Sequence, residues 1–161
     1  MFKYQTLKTS DNNKIDAPES EYLFISQSQI PDSGSGLFTA IDIYKDEIIA
    51  LFKGEILTEI RAKQRANKGN DKYFINLLEG SIMDSMNVMC FAKYANDTKG
   101  SANSNFKNNA IITMDDNDRV CIKAIRNIKA KEEIFCGYGA RYWKKHGSNN
   151  ALIESGNQNE Y

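Results

Sequence analysis

Short apolar runs, rich in β-branched and aromatic residues, recur along this chain and alternate with turn-forming residues. Runs of about four to eight such residues, bounded by Gly, Pro, Asn and Asp, are typical of β-strands. The runs predicted as strands are Tyr22 to Ile25, Leu37 to Ile43, Glu47 to Leu57, Tyr73 to Leu78, Ala110 to Met114, Val120 to Ile125 and Glu133 to Tyr138. Turns such as Pro31-Asp32-Ser33-Gly34 and Lys53-Gly54 lie between or within them. The pattern predicts a mainly β fold.

Helical signals are few. Thr58 to Lys68 carries four basic residues after a threonine that can cap a helix, which predicts a short, solvated helix. A second short helix is predicted to begin near Ala140 and to include Tyr142 and Trp143. The chain has no internal repeat and no heptad pattern. We therefore expect two or three short helices beside the strands.

The length of 161 residues fits one domain, since domains usually have about 100 to 200 residues. Hydrophobic residues make up 41% of the chain, enough to build a core. Both ends are polar, and polar ends fray. We expect a polar N-terminal segment at 1–20, a folded domain at 21–146 and a polar tail at 147–161.

The formal net charge is zero, so no global field draws the chain to nucleic acid. The basic stretch Arg61 to Lys72 is more typical of a solvated surface, and no direct nucleic-acid binding is expected. The longest apolar run, Ile48 to Phe52, is far shorter than the roughly 20 residues of a membrane span, and Met1 to Lys14 lacks a signal-peptide core. The prediction is an intracellular protein that does not bind a membrane.

Cysteine and histidine are scarce. Cys90, Cys121 and Cys136 are odd in number and have no CxxC spacing, so neither a disulfide framework nor a zinc site is indicated. His146 is the only histidine and lies in a polar stretch. The sequence therefore predicts no metal site and argues against hydrolases that need a buried histidine.

Three motifs are candidates for a functional site. Ser33-Gly34-Ser35-Gly36 lets the backbone bend sharply and approach a ligand, although an ordinary turn has the same composition. Tyr94-Ala95-Asn96-Asp97 follows an apolar lead-in that favours a buried Asn, but Asn and Asp are also common in surface turns. Glycines flank Tyr138, so its hydroxyl can face a pocket or cap a core. Trp143 can stack on a flat ligand or pack in the core.

Taken in order, these motifs resemble the SET domain over roughly Tyr22 to Lys145. The family patterns are approximately G-x-G-[LV]-F, G-E-[VI], R-F-[IL]-N-H-S and E-E-[LI]-x-x-D-Y-G. This chain has Gly34-Ser35-Gly36-Leu37-Phe38, Gly54-Glu55-Ile56, Tyr94-Ala95-Asn96-Asp97 and Glu132 to Gly139 at the corresponding places. The resemblance implies a β-clip of small curved sheets with short helices and a C-terminal pseudoknot that brings Asn96 and Tyr138 together.

The resemblance also implies an activity. SET proteins transfer a methyl group from S-adenosylmethionine to a protein lysine, often in a histone tail, and release S-adenosylhomocysteine without using a metal. Tyr138 and Tyr73 are the catalytic residues that the resemblance implies. The cofactor-binding residues that it implies are Gly34, Ser35, Gly36, Tyr94, Asn96, Asp97 and Trp143. The implied partner is a lysine-bearing protein, and a homodimer is compatible with a minimal SET domain.

Two departures from the family pattern leave an alternative open. Asp97 stands where the family usually has His, and Gly137 stands where it usually has Asp. The cysteine-rich zinc-binding segment that follows many SET domains does not follow the Tyr138 motif here. One hypothesis is an active methyltransferase; the alternative is a catalytically impaired SET-like module that binds a peptide or the cofactor. A β-rich structural protein with chance motif matches is the third.

Overall fold

The computed structural model describes residues 13–77, 79–101 and 104–146. The described chain forms three small sheets with short helices, which confirms the predicted mainly β class. Most of the polar N-terminal segment and the whole tail at 147–161 lie outside the described residues, so the domain boundaries stay predictions. No helix within the described ranges is long and apolar enough to cross a membrane.

The first two sheets share the hydrophobic core. One is antiparallel and has the order β1 (Leu23–Gln27), β2 (Ser35–Thr39), β9 (Glu133–Ile134). The other has the order β10 (Cys136–Gly137), β7 (Ala110–Met114), β8 (Val120–Ala124), β3 (Ile48–Leu51), with β10 and β7 parallel. Leu37, Ile134, Ile49 and Ile122 from both sheets belong to one buried cluster. Burial of these branched side chains is the main force that joins the sheets.

The third sheet lies outside that cluster. It is antiparallel and has the order β4 (Glu55–Leu57), β6 (Ile82–Asp84), β5 (Phe74–Asn76). Helix α2 (Glu59–Asn67) follows β4, and the Thr58 side chain accepts a hydrogen bond from the Arg61 amide, as the predicted cap requires. Arg65 of α2 pairs with both Glu55 and Asp84, so the helix is tied to two strands of this sheet.

Several predicted strand boundaries were wrong. Tyr22 ends a short helix, α1 (Glu19–Tyr22), and its hydroxyl donates to the Ile49 carbonyl at 2.8 Å. The run Glu47 to Leu57 is two strands in different sheets, joined through residues 52–54. At Gly54 a Cβ would meet the Asp84 carbonyl oxygen at 2.6 Å, so the backbone passes close to β6 there. Tyr73 precedes β5, and Leu78 lies outside the described residues. Strand β6 was not predicted, since its three residues are too short to show a pattern.

The C-terminal motif is also divided, at Phe135. Strand β9 pairs with β2 and β10 pairs with β7, while Phe135 forms a bridge with Asn96. The segment Glu133 to Gly137 therefore contacts both core sheets and the loop that carries Asn96. The predicted meeting of the C-terminal motif with this loop is observed. Helix α3 (Ala140–His146) follows and begins at the predicted residue.

The Asn109 side chain forms hydrogen bonds with the backbone of the segment Glu133 to Gly137 and so holds it in place. It is 1% exposed; its amide donates to the Glu133 carbonyl and its oxygen accepts from the Phe135 amide, both at 2.8 Å. We predict that Asn109→Ala lowers the free energy of unfolding by about 3 kcal/mol, because two buried backbone groups lose a partner. Urea denaturation followed by circular dichroism measures this. Asn117→Ala, in an exposed turn, is the control and should change stability little; equal stability of the two variants would contradict the role of Asn109.

Candidate functional site

The glycine turn, Ser33 to Gly36, leads into β2 and packs against the buried carboxylate of Glu133. Gly34 has a φ of +69°, a conformation that favours glycine, and nothing lies within 4 Å of the position of a Cβ there. At Gly36 a Cβ would collide with Oε1 of Glu133, a carboxylate held by three hydrogen bonds, so a larger residue would force the turn or the carboxylate to move. The turn therefore presents its backbone on the open side while it packs closely on the other.

Glu133 is the carboxylate beneath this turn, and it is 1% exposed. It accepts hydrogen bonds from the Ser28 hydroxyl at 2.7 Å, the Gln29 amide at 2.6 Å and the Asn96 side-chain amide at 3.3 Å. Glu133 was not predicted as a site residue. The sequence signal was present in the Glu132-Glu133 pair of the C-terminal motif, but its role depends on contacts with residues more than 100 positions away.

Asn96 joins the glycine turn to the C-terminal motif. Its side-chain amide donates to the Ser35 carbonyl at 3.0 Å, and its backbone carbonyl accepts from the Cys136 amide at 2.9 Å. Two of the predicted cofactor residues, Ser35 and Asn96, are thus in direct contact. The short 3-10 helix Ala92–Tyr94 contacts β2, the strand that includes Ser35 and Gly36.

Asp97 makes four hydrogen bonds within the chain. One oxygen accepts from the Tyr138 amide at 2.8 Å and the Trp143 indole at 2.7 Å; the other accepts from the Lys99 amide and the Asn108 side chain, both at 3.0 Å. The side chain was predicted to bind cofactor, but its carboxylate is directed to these protein donors. Burial opposes the charge, yet the four donors outweigh burial and hold the pKa of Asp97 below its usual value.

Trp143 packs on Tyr138, with ring centroids 5.9 Å apart and planes at 20°. Tyr142 meets both rings edge-on, at 4.7 Å from Tyr138 and 5.2 Å from Trp143. Gly100 lies against the Trp143 indole: a Cβ added at Gly100 would lie 2.8 Å from a carbon atom of the ring. One sequence hypothesis placed Trp143 against a flat ligand; here it contacts the predicted catalytic tyrosine and is fixed by Asp97.

Tyr138 and Tyr73, the two predicted catalytic residues, line one small cavity of about 100 Å³. The Tyr138 hydroxyl donates to the Ala95 carbonyl at 2.8 Å, so its own lone pairs are left to accept a hydrogen bond. Burial, with the nearby Cys136 second, raises the pKa of Tyr138 well above its usual range. The hydroxyl is therefore protonated at neutral pH, and it is suited to orienting a ligand by hydrogen bonding.

A half-buried cation, Lys93, also lines the cavity. Lys93 donates to the carbonyls of Ser85, Met86 and Val88 at 3.0–3.1 Å, which uses all three ammonium donors. Its Nζ lies 5.8 Å from the centroid of Tyr73 and 5.4 Å from that of Tyr94, distances typical of cation–π contacts. Lys93 was not predicted, because no local pattern marks a lysine that faces a cavity.

A wider groove of about 700 Å³ opens beside this cavity. Helix α2 and strand β5 form one side, and Ile112, Gly137, Tyr138 and Tyr142 form the other. Tyr138 and Tyr142 line both spaces. The small cavity with its two tyrosines thus adjoins a groove large enough for an extended peptide segment.

Comparison with known proteins assigns this architecture. The family model described as SET domain matches residues 34–139. Histone-lysine N-methyltransferase trr of Drosophila melanogaster is 30% identical over 135 residues, which cover 81% of this chain but 5% of the fly protein. The chain therefore corresponds to a small part of that relative.

Two solved structures resemble the fold of this chain. A humanized mutant of Chaetomium thermophilum Polycomb Repressive Complex 2 bound to the inhibitor GSK343 matches with a TM-score of 0.61 and 28% identity, over 73% of this chain and 15% of that chain. A structure of ctPRC2 in an autoinhibited conformation bound to S-adenosylmethionine matches with a TM-score of 0.60 and 25% identity, over 83% and 17%. Both likenesses cover most of the chain described above.

The Asp97 network gives a pH-dependent prediction. Because the pKa of Asp97 is lowered on folding, its contribution to stability is present above the unfolded pKa and is lost as the pH falls through the folded pKa. We predict that Asp97→Asn lowers the free energy of unfolding by about 3 kcal/mol at pH 7. The Asn side chain has one acceptor oxygen instead of two, so its NH2 group would face two of the four protein donors. The difference from wild type should shrink below about pH 4.

Chemical denaturation from pH 7 to pH 3 measures this difference, and the fluorescence of Trp143, the only tryptophan, reports whether the indole leaves Asp97. Asp116→Asn, at an exposed position in the turn between β7 and β8, is the matched control. A constant difference between wild type and Asp97→Asn across this range would show that the Asp97 charge contributes nothing to stability.

Proposed function

This chain belongs to the SET-domain family, and on that premise we propose that it is a protein-lysine N-methyltransferase that uses S-adenosylmethionine. The observation that carries the proposal is the cavity shared by Tyr138 and Tyr73, beside a groove that can receive a peptide. A lysine side chain entering from the groove would meet the two tyrosines at its end.

The glycine turn and its neighbours fit the cofactor. The turn at Gly34 has open space where a Cβ would be, and Asn96 holds the Ser35 carbonyl. We assign cofactor binding to Gly34, Ser35, Gly36, Tyr94, Asn96 and Trp143. Asp97 would contribute through Trp143 and Tyr138, which its carboxylate fixes. When bound, S-adenosylmethionine supplies a methyl group on a positively charged sulfur, which an amine can attack.

The residues of the small cavity would prepare the amine. A free lysine has a pKa of about 10.4 and is protonated at neutral pH, so it must lose its proton before it can react. Apolar side chains such as Phe52 and Ile112 line the cavity and would disfavour the ammonium form by desolvation. The Tyr138 hydroxyl, held by the Ala95 carbonyl, would accept a hydrogen bond from the amine and align its lone pair.

The substrate that we propose is a lysine in a protein segment, with histone tails as the first to test. The relative from Drosophila melanogaster named above is a histone-lysine methyltransferase, which supports this choice. Glu59 is exposed in the lining of the groove and can meet a basic residue of a peptide, whereas Asp71 in the same lining is buried. Glu59 also pairs with Lys63 at 2.7 Å, so a peptide would compete with that exposed ion pair.

The alternative is a SET-like module that binds peptide or cofactor without turnover. Asp97 and Gly137 motivated it, as departures from the family pattern. The Asp97 carboxylate replaces a histidine with a group that fixes Tyr138 and Trp143, so this departure argues less strongly against activity. The two hypotheses differ in whether the Tyr138 hydroxyl affects methyl transfer or only binding.

We predict that Tyr138→Phe lowers methyl transfer by about 100-fold or more, because one preorganised hydrogen-bonding group in an enclosed site has an effect of this size. Labelled S-adenosylmethionine, core histones and cell lysate would be incubated with the purified chain, and labelled lysine would be identified by mass spectrometry. Tyr44→Phe, at a tyrosine that is 47% exposed and does not line the cavity, should keep wild-type activity.

The same measurement separates the hypotheses. Label transferred by wild type and Tyr44→Phe but not by Tyr138→Phe would support the enzyme. Cofactor binding without label on any protein would instead support the binding module. Equal transfer by Tyr138→Phe and wild type would contradict the catalytic assignment of Tyr138.

The cofactor assignment is tested separately with S-adenosylhomocysteine by titration calorimetry. Gly36→Ala places a methyl group against the Glu133 carboxylate, so the turn must move and binding should weaken at least tenfold. Ser26→Ala, at an exposed position on β1, is the control and should bind normally. Circular dichroism confirms that both variants are folded. Normal binding by a folded Gly36→Ala would place the cofactor elsewhere.

A further inference from the structure

Strand β1 has an outer edge that no strand of the described chain covers. It is the end strand of its sheet and pairs with β2 alone. The ladder of this pair continues to Ser28, whose amide donates to the Gly34 carbonyl at 2.8 Å. Because hydrogen-bonded pairs alternate along an antiparallel ladder, the amides and carbonyls of Ile25 and Gln27 point away from β2. Within the described ranges, these outward groups have no backbone partner.

The open stretch of this edge is short and has defined ends. At one end, the Leu23 amide donates to a carbonyl of helix α1. At the other end, the Gln29 amide donates to the Glu133 carboxylate at 2.6 Å. Ile25 and Gln27 therefore supply the unused donors and acceptors of the edge, between two amides that the chain already uses.

This edge also lacks the features that usually keep strand edges from pairing. Such edges are protected by charged side chains, by proline, by bulges or by a covering segment. Residues 22–31 include no charged residue, β1 has no proline, and its register with β2 is regular. The edge of β3, by contrast, is covered: the Ile48 amide donates to the Asn13 carbonyl at 2.6 Å, and the Leu51 amide donates to the Glu19 carboxylate at 2.8 Å.

Apolar side chains are exposed on both faces of β1. Phe24 is 39% exposed, although it stacks on Phe38 with ring centroids 5.5 Å apart and planes at 18°. Ile25, the next residue, points to the opposite face and is 38% exposed. Ser26 and Gln27 are exposed and uncharged. A strand that pairs with this edge would remove both large apolar side chains from water.

The partner that fits this edge is a second copy of the same strand. An uncharged strand can lie antiparallel to its own copy without placing like charges opposite each other. With a twofold axis at Ser26, Ile25 of one copy lies opposite Gln27 of the other, so every outward amide and carbonyl gains a partner. Phe24 then lies opposite Ser28 of the second copy, so a large side chain meets a small one.

The groups that are already bonded select this register. A shift in one direction would bring Gln27 opposite Leu23 of the second copy, and a shift in the other would bring Ile25 opposite Gln29. In both cases an outward carbonyl would face an amide that its own chain already uses. The pairing centred at Ser26 is the one that leaves none of the outward groups without a partner.

We propose that two copies of this chain associate by antiparallel pairing of their β1 strands, centred at Ser26. The pairing would join two three-stranded sheets into one six-stranded sheet, which is a common size. No residue of β1 lines the small cavity or the groove, so the pairing occupies neither space. Association is measured without cofactor or substrate, and the proposal therefore does not depend on the methyltransferase function.

Sedimentation velocity of the 161-residue chain over a range of concentrations tests the association. Interfaces of one strand pair are small, so we expect a monomer–dimer equilibrium with a dissociation constant on the order of 10 µM. A chain that remains monomeric up to about 100 times that concentration would overturn the proposal, and it would leave a strand of another protein as the partner for this edge.

Ile25→Pro tests the edge itself. Proline removes an outward amide that the fold does not use, and proline is tolerated on edge strands, so the monomer should stay folded. In the dimer the change removes one donor from each copy, and the dissociation constant should rise at least tenfold. Ile125→Ala, at an isoleucine outside β1 that is 40% exposed, is the control and should associate like wild type. A dimer that Ile25→Pro leaves unchanged would place the interface elsewhere.

Ser26→Lys and Ser26→Asp test the register, and they do not depend on the folding of Ile25→Pro. Each variant alone places like charges beside each other at the twofold axis, where the side chains of a non-hydrogen-bonded pair are closest, so each should be monomeric. An equimolar mixture should form dimers again, because lysine then faces aspartate. Circular dichroism confirms that the variants are folded. Association of either variant at wild-type strength, or a mixture that associates no better than its components, would contradict pairing centred at Ser26.

Discussion

The segment Glu133 to Gly137 is the constraint on which the structure depends. Its two short strands extend different sheets, and the residue between them bridges to Asn96. Such short pairings are weak alone, so side chains from elsewhere complete them: Asn109 binds the backbone on both sides of Ile134, and the Glu133 carboxylate binds the strand connection at Ser28 and Gln29. The core, the glycine turn and the tyrosine motif are all positioned through this one segment.

Placement of the site follows from that segment. Because Phe135 and Asn96 form a parallel bridge, the residues that follow them in the two segments come together, and Asp97 can accept from the Tyr138 amide. The same carboxylate accepts from Trp143, so one buried charge links the loop, the tyrosine and helix α3. A histidine offers one acceptor at most, whereas a carboxylate accepts several hydrogen bonds. The departure from the family pattern at Asp97 is therefore part of a coherent local structure.

Much of this was predictable from sequence, and the limits have a physical cause. Ala110 to Met114 and the Thr58 cap were predicted correctly because both are local patterns. The order of the motifs located the loop of Asn96 and the helix of Trp143. Strand β6 was missed, since three residues show no periodicity. Glu133 and Lys93 were missed because their importance comes from partners distant in sequence or from a cavity, which no local pattern encodes.

Lys93 contributes to the stability of the fold and, under the proposed function, to the chemistry of the cavity that it lines. Its ammonium closes the loop from Ser85 to Val88 by binding three carbonyls, which is a structural task. It also places a fixed positive charge at a cavity that, under the proposed function, receives a second amine. Like charges in a partly desolvated space repel, so the neutral form of the incoming amine is favoured there over the ammonium. The neutral form is the one whose lone pair can react, so under the proposed function the interaction that holds the loop would also favour the reactive state of the substrate.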